Sequence, residues 1–301
     1  MSSWSRQFGI AGIQFALRSE QIPVTDGDSA SYAPFADPES GSCDIDCAVT
    51  IQQGDLPSLT ALPQIFDAGR SWAMYSDPSG GRLIQRKGPP DGSAESSWIA
   101  TASRAFRDVV VTCSETMTRR GAEGVELLNP LRYPLDQILT NHLLASRGGV
   151  LVHGAGAAIG ERGLLFAGRS GAGKTTISRQ LHERHGLRML SDDRIVVRER
   201  DGALRIFGTP WPGDGGHALN ESQPLAALLF LAHGPDNELV ELNTPQALER
   251  LLPVASVPWY DREAADGTLR FCERLIEGVP TYELRFRPDE SVAEFIAKRF
   301  A

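Results

Sequence analysis

From position 168 to 175 the chain reads Gly-Arg-Ser-Gly-Ala-Gly-Lys-Thr, after the apolar run Leu164 to Ala167 and before a helical pattern over about 173–185. Gly168, Gly171 and Gly173 can adopt backbone angles closed to other residues, so their amide groups can close on an anion. The amides of Arg169, Ser170, Ala172 and Thr176 extend that nest, and the helix start behind it adds a positive dipole. Lys174 offers a mobile charge to β- and γ-phosphates, and the Thr175 hydroxyl suits Mg²⁺. Glycine and Lys-Thr at this spacing, between strand and helix, predict the phosphate loop of a nucleoside triphosphate site, with ATP and Mg²⁺ as ligands. Lysine is otherwise scarce: of 30 basic residues only Lys87, Lys174 and Lys298 are lysines. No Asn-Lys-x-Asp segment exists to read a guanine base.

Asp192 and Asp193 follow at the end of the short strand Arg188 to Leu190. Two adjacent carboxylates near a phosphate loop suit a division of labour, one holding Mg²⁺ and the other accepting a hydroxyl proton. A surface Asp-Asp turn is the bland alternative. Val150 to Ile159 and Gly163 to Ala167 predict a hairpin about Gly160-Glu161-Arg162, in which residue 159 faces 163 and His153 faces Arg169. His153 would then stand beside bound phosphate and could share a proton with Asp192; a buried core histidine is the alternative. The other histidines, His142, His182, His185, His217 and His233, have no such placement. Gly208 to Gly216, GTPWPGDGG, joins flexible glycines to a rigid Pro-Trp-Pro. It reads either as a substrate loop presenting Trp211 and Asp214 or as a surface crossover anchored by Trp211.

The elements that must position these residues alternate. Strands are predicted at 150–153, 164–167, 188–190, 195–198, 204–207, 225–231 and 282–286, and helices at about 131–146, 173–185, 244–252, 262–277 and 290–299. Asp201-Gly202 predicts a hairpin, so the sheet is mixed. The region 1–130 is strand-rich, with predicted strands at 45–51, 72–75, 82–86, 98–102 and 108–113 and polar loops at 24–42 and 87–97.

Composition excludes several classes. The chain has 301 residues, 41% hydrophobic and 23% charged, which is ordinary globular composition. A net charge of −8 argues against non-specific nucleic-acid or anionic-membrane binding. The longest apolar run, Leu225 to Ala232, is far too short to span a bilayer, and the N-terminus lacks the pattern of a signal peptide. Cys43 and Cys47 have no second pair to complete a zinc site. With Cys113 and Cys272 they read as reduced thiols of a cytoplasmic protein.

Three segments in order, His153-Gly154, GRSGAGKT and SDDRIVV, resemble the HPr kinase/phosphorylase family, whose relatives share a catalytic core with phosphoenolpyruvate carboxykinase. The resemblance covers roughly residues 131–210. It implies an α/β fold with a phosphate-loop, phosphoenolpyruvate carboxykinase-like core and mixed sheet at 131–301. The strand-rich region 1–130 does not match the family and is read as the place for substrate or partner docking. The resemblance also implies His153 near the transferred phosphate, Lys174 on the β/γ-phosphates, Thr175 at the metal, Asp192 as catalytic base and Asp193 as metal ligand, the two Asp roles being exchangeable. The second signature of true HPr kinases is not found, and GTPWPGDGG stands in its place. The implied acceptor is therefore a serine of a protein or ribosomally made precursor peptide, as in lasso-peptide tailoring. A kinase of a small hydroxylated metabolite and a nucleotide-binding regulator without transferase activity are the alternatives. No nucleic-acid or membrane partner is expected, and a homo-oligomer stays open.

Overall fold

The computed structural model describes residues 4–26, 30–36, 44–88, 96–122 and 124–300. The chain divides into two units, one of Met1–Ala30 and Ala36–Leu143, the other of Ser31–Phe35 and Leu144–Ala301.

The first unit is made of strands. β1 (Trp4–Ile10) and β2 (Ile13–Ser19) form a hairpin about Ala11 and Gly12, whose φ values of 53° and 73° are left-handed as a tight hairpin turn requires. There follow β3 (Val24–Thr25), β4 (Cys47–Gln53), β5 (Gln64–Asp67), β6 (Trp72–Ser76), β7 (Arg82–Arg86), β8 (Trp98–Ala102), β9 (Asp108–Cys113), β10 (Thr118–Gly121) and β11 (Gly124–Leu128). Eight of them make one sheet in the order β1-β2-β4-β9-β8-β7-β6-β5, and β10-β11-β3 make another. Alternation sets the core: Ile13, Phe15 and Leu17 are buried on one face of β2. The predicted strands correspond to β4 and β6 to β9, while β1, β2, β5, β10 and β11 were not anticipated. The predicted loop 24–42 contains β3 and a 3₁₀ turn, Ala30–Phe35. Its residues 27–29 and 37–42, residues 89–95 of the second loop, and Cys43 lie outside the described residues.

The division between units falls inside α1 (Leu135–Ser146). Beyond it come β12 (Gly149–Ile159), β13 (Arg162–Ala167), α2 (Lys174–His185), β14 (Arg188–Ser191), β15 (Arg194–Arg200), β16 (Ala203–Phe207), β17 (Ser222–His233), β18 (Glu238–Glu241), α3 (Thr244–Leu251), α4 (Arg262–Gly278), β19 (Thr281–Phe286) and α5 (Ser291–Phe300). The arrangement is mixed α/β, as predicted. β13, β17 and β19 run parallel, and β18 joins β19 antiparallel. Asp201 and Gly202, at φ 54° and 75°, make the anticipated hairpin between β15 and β16.

The two longest strands organise the unit. β12 pairs with β13, β14 and β15, and β17 pairs with β13, β16 and β19. The pairings β12-β15-β16-β17-β13-β12 therefore close into a ring. Successive residues of β13 enter different cores. Leu164 and Phe166 join Ile177, Leu181, Val292 and Ile296 of α2 and α5. Leu165 and Ala167 join Leu251, Phe271 and Leu275 of α3 and α4. The helix starts are encoded locally: Asn243 and Gln246 form a reciprocal capping box on α3, and Asp261 caps α4. No helix among the described residues is long and apolar enough to cross a membrane.

Candidate functional site

The glycine loop joins β13 to α2. Gly171 and Gly173 have φ of 83° and 99°. A Cβ at Gly173 would also stand 2.6 Å from Phe286 Cζ, so both angle and space demand glycine there. Gly173 is the N-cap of α2 and supplies no side-chain cap, leaving the first helical N–H groups pointed at the loop. Lys174 is buried, and its Nζ donates to the carbonyls of Gly168 (3.0 Å) and Arg169 (3.1 Å). Burial, the largest influence, pulls its pKa below the usual lysine value; the Asp193 charge opposes this and Arg194 adds to it. Thr175 is exposed on the first turn, Thr176 half-buried, and Arg169 and Ser170 exposed at the loop's outer edge.

His153 reaches this loop in a register that differs from the sequence expectation. Gly154 pairs with Ala167 and Ile159 with Arg162, one residue from the predicted pairing, because the turn uses only Gly160 and Glu161. The His153 carbonyl therefore accepts from Gly168 N–H (3.3 Å), and His153 stands at the loop's first glycine rather than opposite Arg169. Its Nε2 lies 2.8 Å from Asp193 Oδ1, and Arg194 Nη1 lies 2.9 Å from Asp193 Oδ2. The imidazole is thus bonded to Asp193 and not to Asp192, the partner expected from sequence. Burial alone would raise the Asp193 carboxyl pKa, but the His153 hydrogen bond and the charges of Arg194, His153 and Lys174 hold it below the ordinary value.

Asp192 has different company. It is 3% exposed, and its Oδ1 and Oδ2 accept from Gly213 N–H (3.0 Å) and Gly215 N–H (2.6 Å). The segment 208–216 thus lies against the acid. A Cβ at Gly215 would come within 2.6 Å of Asp192 Oδ2. Trp211 is buried at 6% exposure, which fits the anchoring alternative, while Asp214 is exposed.

Several participants escaped the sequence. Arg194 pairs with Asp193, as given above. His233, grouped with the unplaced histidines, ends β17 with Nε2 3.3 Å from the Gly171 carbonyl. His217 lies edge-on to His182, ring centroids 4.8 Å apart, and beside Asp192. Burial first, and then the charge of His182, lower its pKa, while Asp192 opposes the shift. The contacts of His233 and His217 join residues far apart in the chain, and nothing local announces them. The described cysteines, Cys47, Cys113 and Cys272, are free and buried, and burial foremost pushes each thiol pKa up to about 12.

The donor types suit a hard cation: the Thr175 hydroxyl is exposed on the first turn of α2. Each Asp193 oxygen has spent one lone pair on His153 or Arg194 and keeps another. Among the described residues no cluster of three or more His, Cys, Asp or Glu forms a metal cage.

No family model matches the chain, and no curated protein matches it. Among solved structures it is similar to the HPr(Ser) kinase/phosphatase from Coxiella burnetii, at 14% identity and a TM-score of 0.29, over 49% of this chain and 86% of that one.

Proposed function

We propose that the second unit is an ATP-dependent kinase of the HPr-kinase type, with a phosphate-loop core like that of phosphoenolpyruvate carboxykinase, acting on a serine hydroxyl of a protein or peptide. The observation that supports this most is the buried Lys174 ammonium, folded onto the Gly168 and Arg169 carbonyls within the field of Asp193. An ammonium so placed exchanges two carbonyl partners for phosphate oxygens with little movement. The uncapped start of α2 offers N–H groups to the same anion.

A binding site alone would not need two acids with unlike surroundings. Asp193 is held as an anion by His153, Arg194 and Lys174, which makes it a poor proton acceptor. With Thr175 it would hold Mg²⁺, which when bound neutralises charge on the phosphate oxygens. Among the described residues Asp192 accepts from two neutral backbone N–H groups, and each of its oxygens keeps a lone pair. It is the proposed base. As the acceptor oxygen bonds to the γ-phosphorus, the bond from that phosphorus to the β,γ-bridging oxygen breaks. The hydroxyl proton passes to Asp192 and ADP leaves. Lys174 and His153 stabilise charge on the phosphoryl oxygens.

The test is thermal and chemical. Mg²⁺ and ATP at about 100 times the dissociation constant should add about 2.7 kcal/mol of stability, and Lys174→Ala should remove most of it. Absence of a shift with any nucleoside triphosphate would sink the reading.

A further inference from the structure

A cavity of about 490 Å³ borders the glycine loop on the side of α3. Two contacts tie it to the proposed transfer end of the site. Gly168 and Arg169, whose carbonyls hold the Lys174 ammonium, line it. So does Val254, whose carbonyl accepts the His153 N–H at 2.8 Å. The cavity is therefore adjacent both to the ammonium proposed to meet the terminal phosphate and to the histidine proposed beside it.

Its lining limits what can enter. Phe230, Leu231, Pro253 and Val254 make apolar walls. Glu283 also lines it, but its carboxylate is occupied: Arg250 donates to Oε2 from Nη2 (2.5 Å) and Nε (3.2 Å), and Arg285 donates to Oε1 (2.8 Å). Apart from that neutralised group, Arg169 and Glu249 supply one charge of each sign. A pocket for a phosphorylated or acidic acceptor would carry an excess of cations. This one is balanced in charge and about half apolar, so an uncharged group seated on the apolar walls fits it, and its volume suits a small ligand or a short piece of chain.

We propose that this cavity is the acceptor subsite and takes an uncharged apolar group adjoining the accepting hydroxyl, such as an aliphatic side chain next to a serine. The proposal rests on the kinase reading for its link to the hydroxyl, but binding tests it separately. Methyl and amide NMR spectra of the full chain would be followed with N-acetyl-seryl-leucinamide, N-acetyl-seryl-aspartamide and Mg²⁺–ADP. The leucyl probe should move the Leu231 and Val254 methyl signals and bind ~10-fold more tightly than the aspartyl probe, as a matched apolar contact allows. Leu231→Gln should abolish most of that preference. The exposed substitution Glu249→Arg, which leaves the core untouched, should raise affinity for the aspartyl probe. Equal binding of the two probes, or no movement of those methyl signals at ~50 mM probe, a concentration above the weakest millimolar affinities, would overturn the subsite. Mg²⁺–ADP should move the amide signals of residues 171–175. If it does not while the methyl signals still respond to the leucyl probe, the nucleotide reading fails and the subsite stands. If the amides respond and the methyl signals do not, the subsite alone fails.

Discussion

The glycine loop at 168–173 and the glycine-rich segment at 208–216 both follow strands of the second unit, yet they dispose of their N–H groups in opposite ways. The first leads into a helix whose N-cap supplies no side-chain acceptor. The second spends the N–H groups of Gly213 and Gly215 on the Asp192 carboxylate. In the proposed site the first would receive an anion from outside; the second has its anion built in. Glycine composition therefore says that backbone will approach something closely, and only the neighbouring charge says what. Beside the first loop that charge is the Lys174 ammonium, and beside the second it is a buried acid.

The sharpest way to break the comparison is to neutralise the built-in anion. Asp192→Asn keeps an oxygen for one glycine N–H but loses the proton acceptor. Phosphoryl transfer should fall by ~10²–10⁴ while Mg²⁺–ATP binding stays near normal. Asp193→Asn should instead weaken Mg²⁺ dependence and nucleotide binding together. Single-turnover transfer with Mg²⁺ and ATP titrations separates the two, and a reversed pattern would exchange the roles.

Substituting the glycines comes next. Gly173→Ala forces a left-handed alanine against Phe286, at about 1–2 kcal/mol for the backbone alone, and should abolish nucleotide binding with a lowered melting temperature. Gly215→Ala pushes a methyl into Asp192 and should impair transfer while sparing nucleotide affinity. If Gly215→Ala costs nucleotide binding as much as Gly173→Ala does, the two loops are one site and the contrast collapses. Trp211→Ala should likewise leave nucleotide affinity within about threefold, a change under ~0.7 kcal/mol, and weaken acceptor use instead.

The smallest effects are in pH. His217, beside the second loop, has a folded pKa below the usual 6.5, so its contribution to stability is present above that value and is lost as pH falls through the folded pKa. Lys174, in the first loop, has a folded pKa below 10.5, so its contribution is complete only above 10.5 and is lost as pH falls through the folded value. Melting-temperature profiles of His217→Gln and Lys174→Met should differ from the parent at acid and alkaline pH respectively. Identical profiles for parent and variants would refute the assignment. Asp193 should add a later acid step below its ordinary 3.8.

What was legible follows the range of the interaction. The loop and its flanking strand and helix are contiguous, and every residue type has a local reason, so strand, loop and helix were foreseeable. The Asp201-Gly202 hairpin was legible because both φ values suit that pair. The hairpin before the glycine loop slipped by one residue because Arg162, read as part of the turn, pairs with Ile159. His233 was unreadable because its partner, Gly171, lies 62 positions away. The β1–β2 hairpin does carry a local signal, the alternation of Ile13, Phe15 and Leu17 after Gly12. Polar β18, Glu238–Glu241, has little alternation to read and exists through pairing with β19.

The ring of strands also sets an order of events during synthesis. β13 precedes the glycine loop, but its parallel partner β17 leaves the ribosome some sixty residues later, and Phe286, which packs over Gly173, later still. Contacts so distant in the chain form slowly, because loop closure comes before any reward from pairing. A nascent chain ending before Phe286 would carry every residue of the glycine loop and lack the wall that shapes it. The shape of the glycine loop is thus a late product of folding, complete only when β19 is in place.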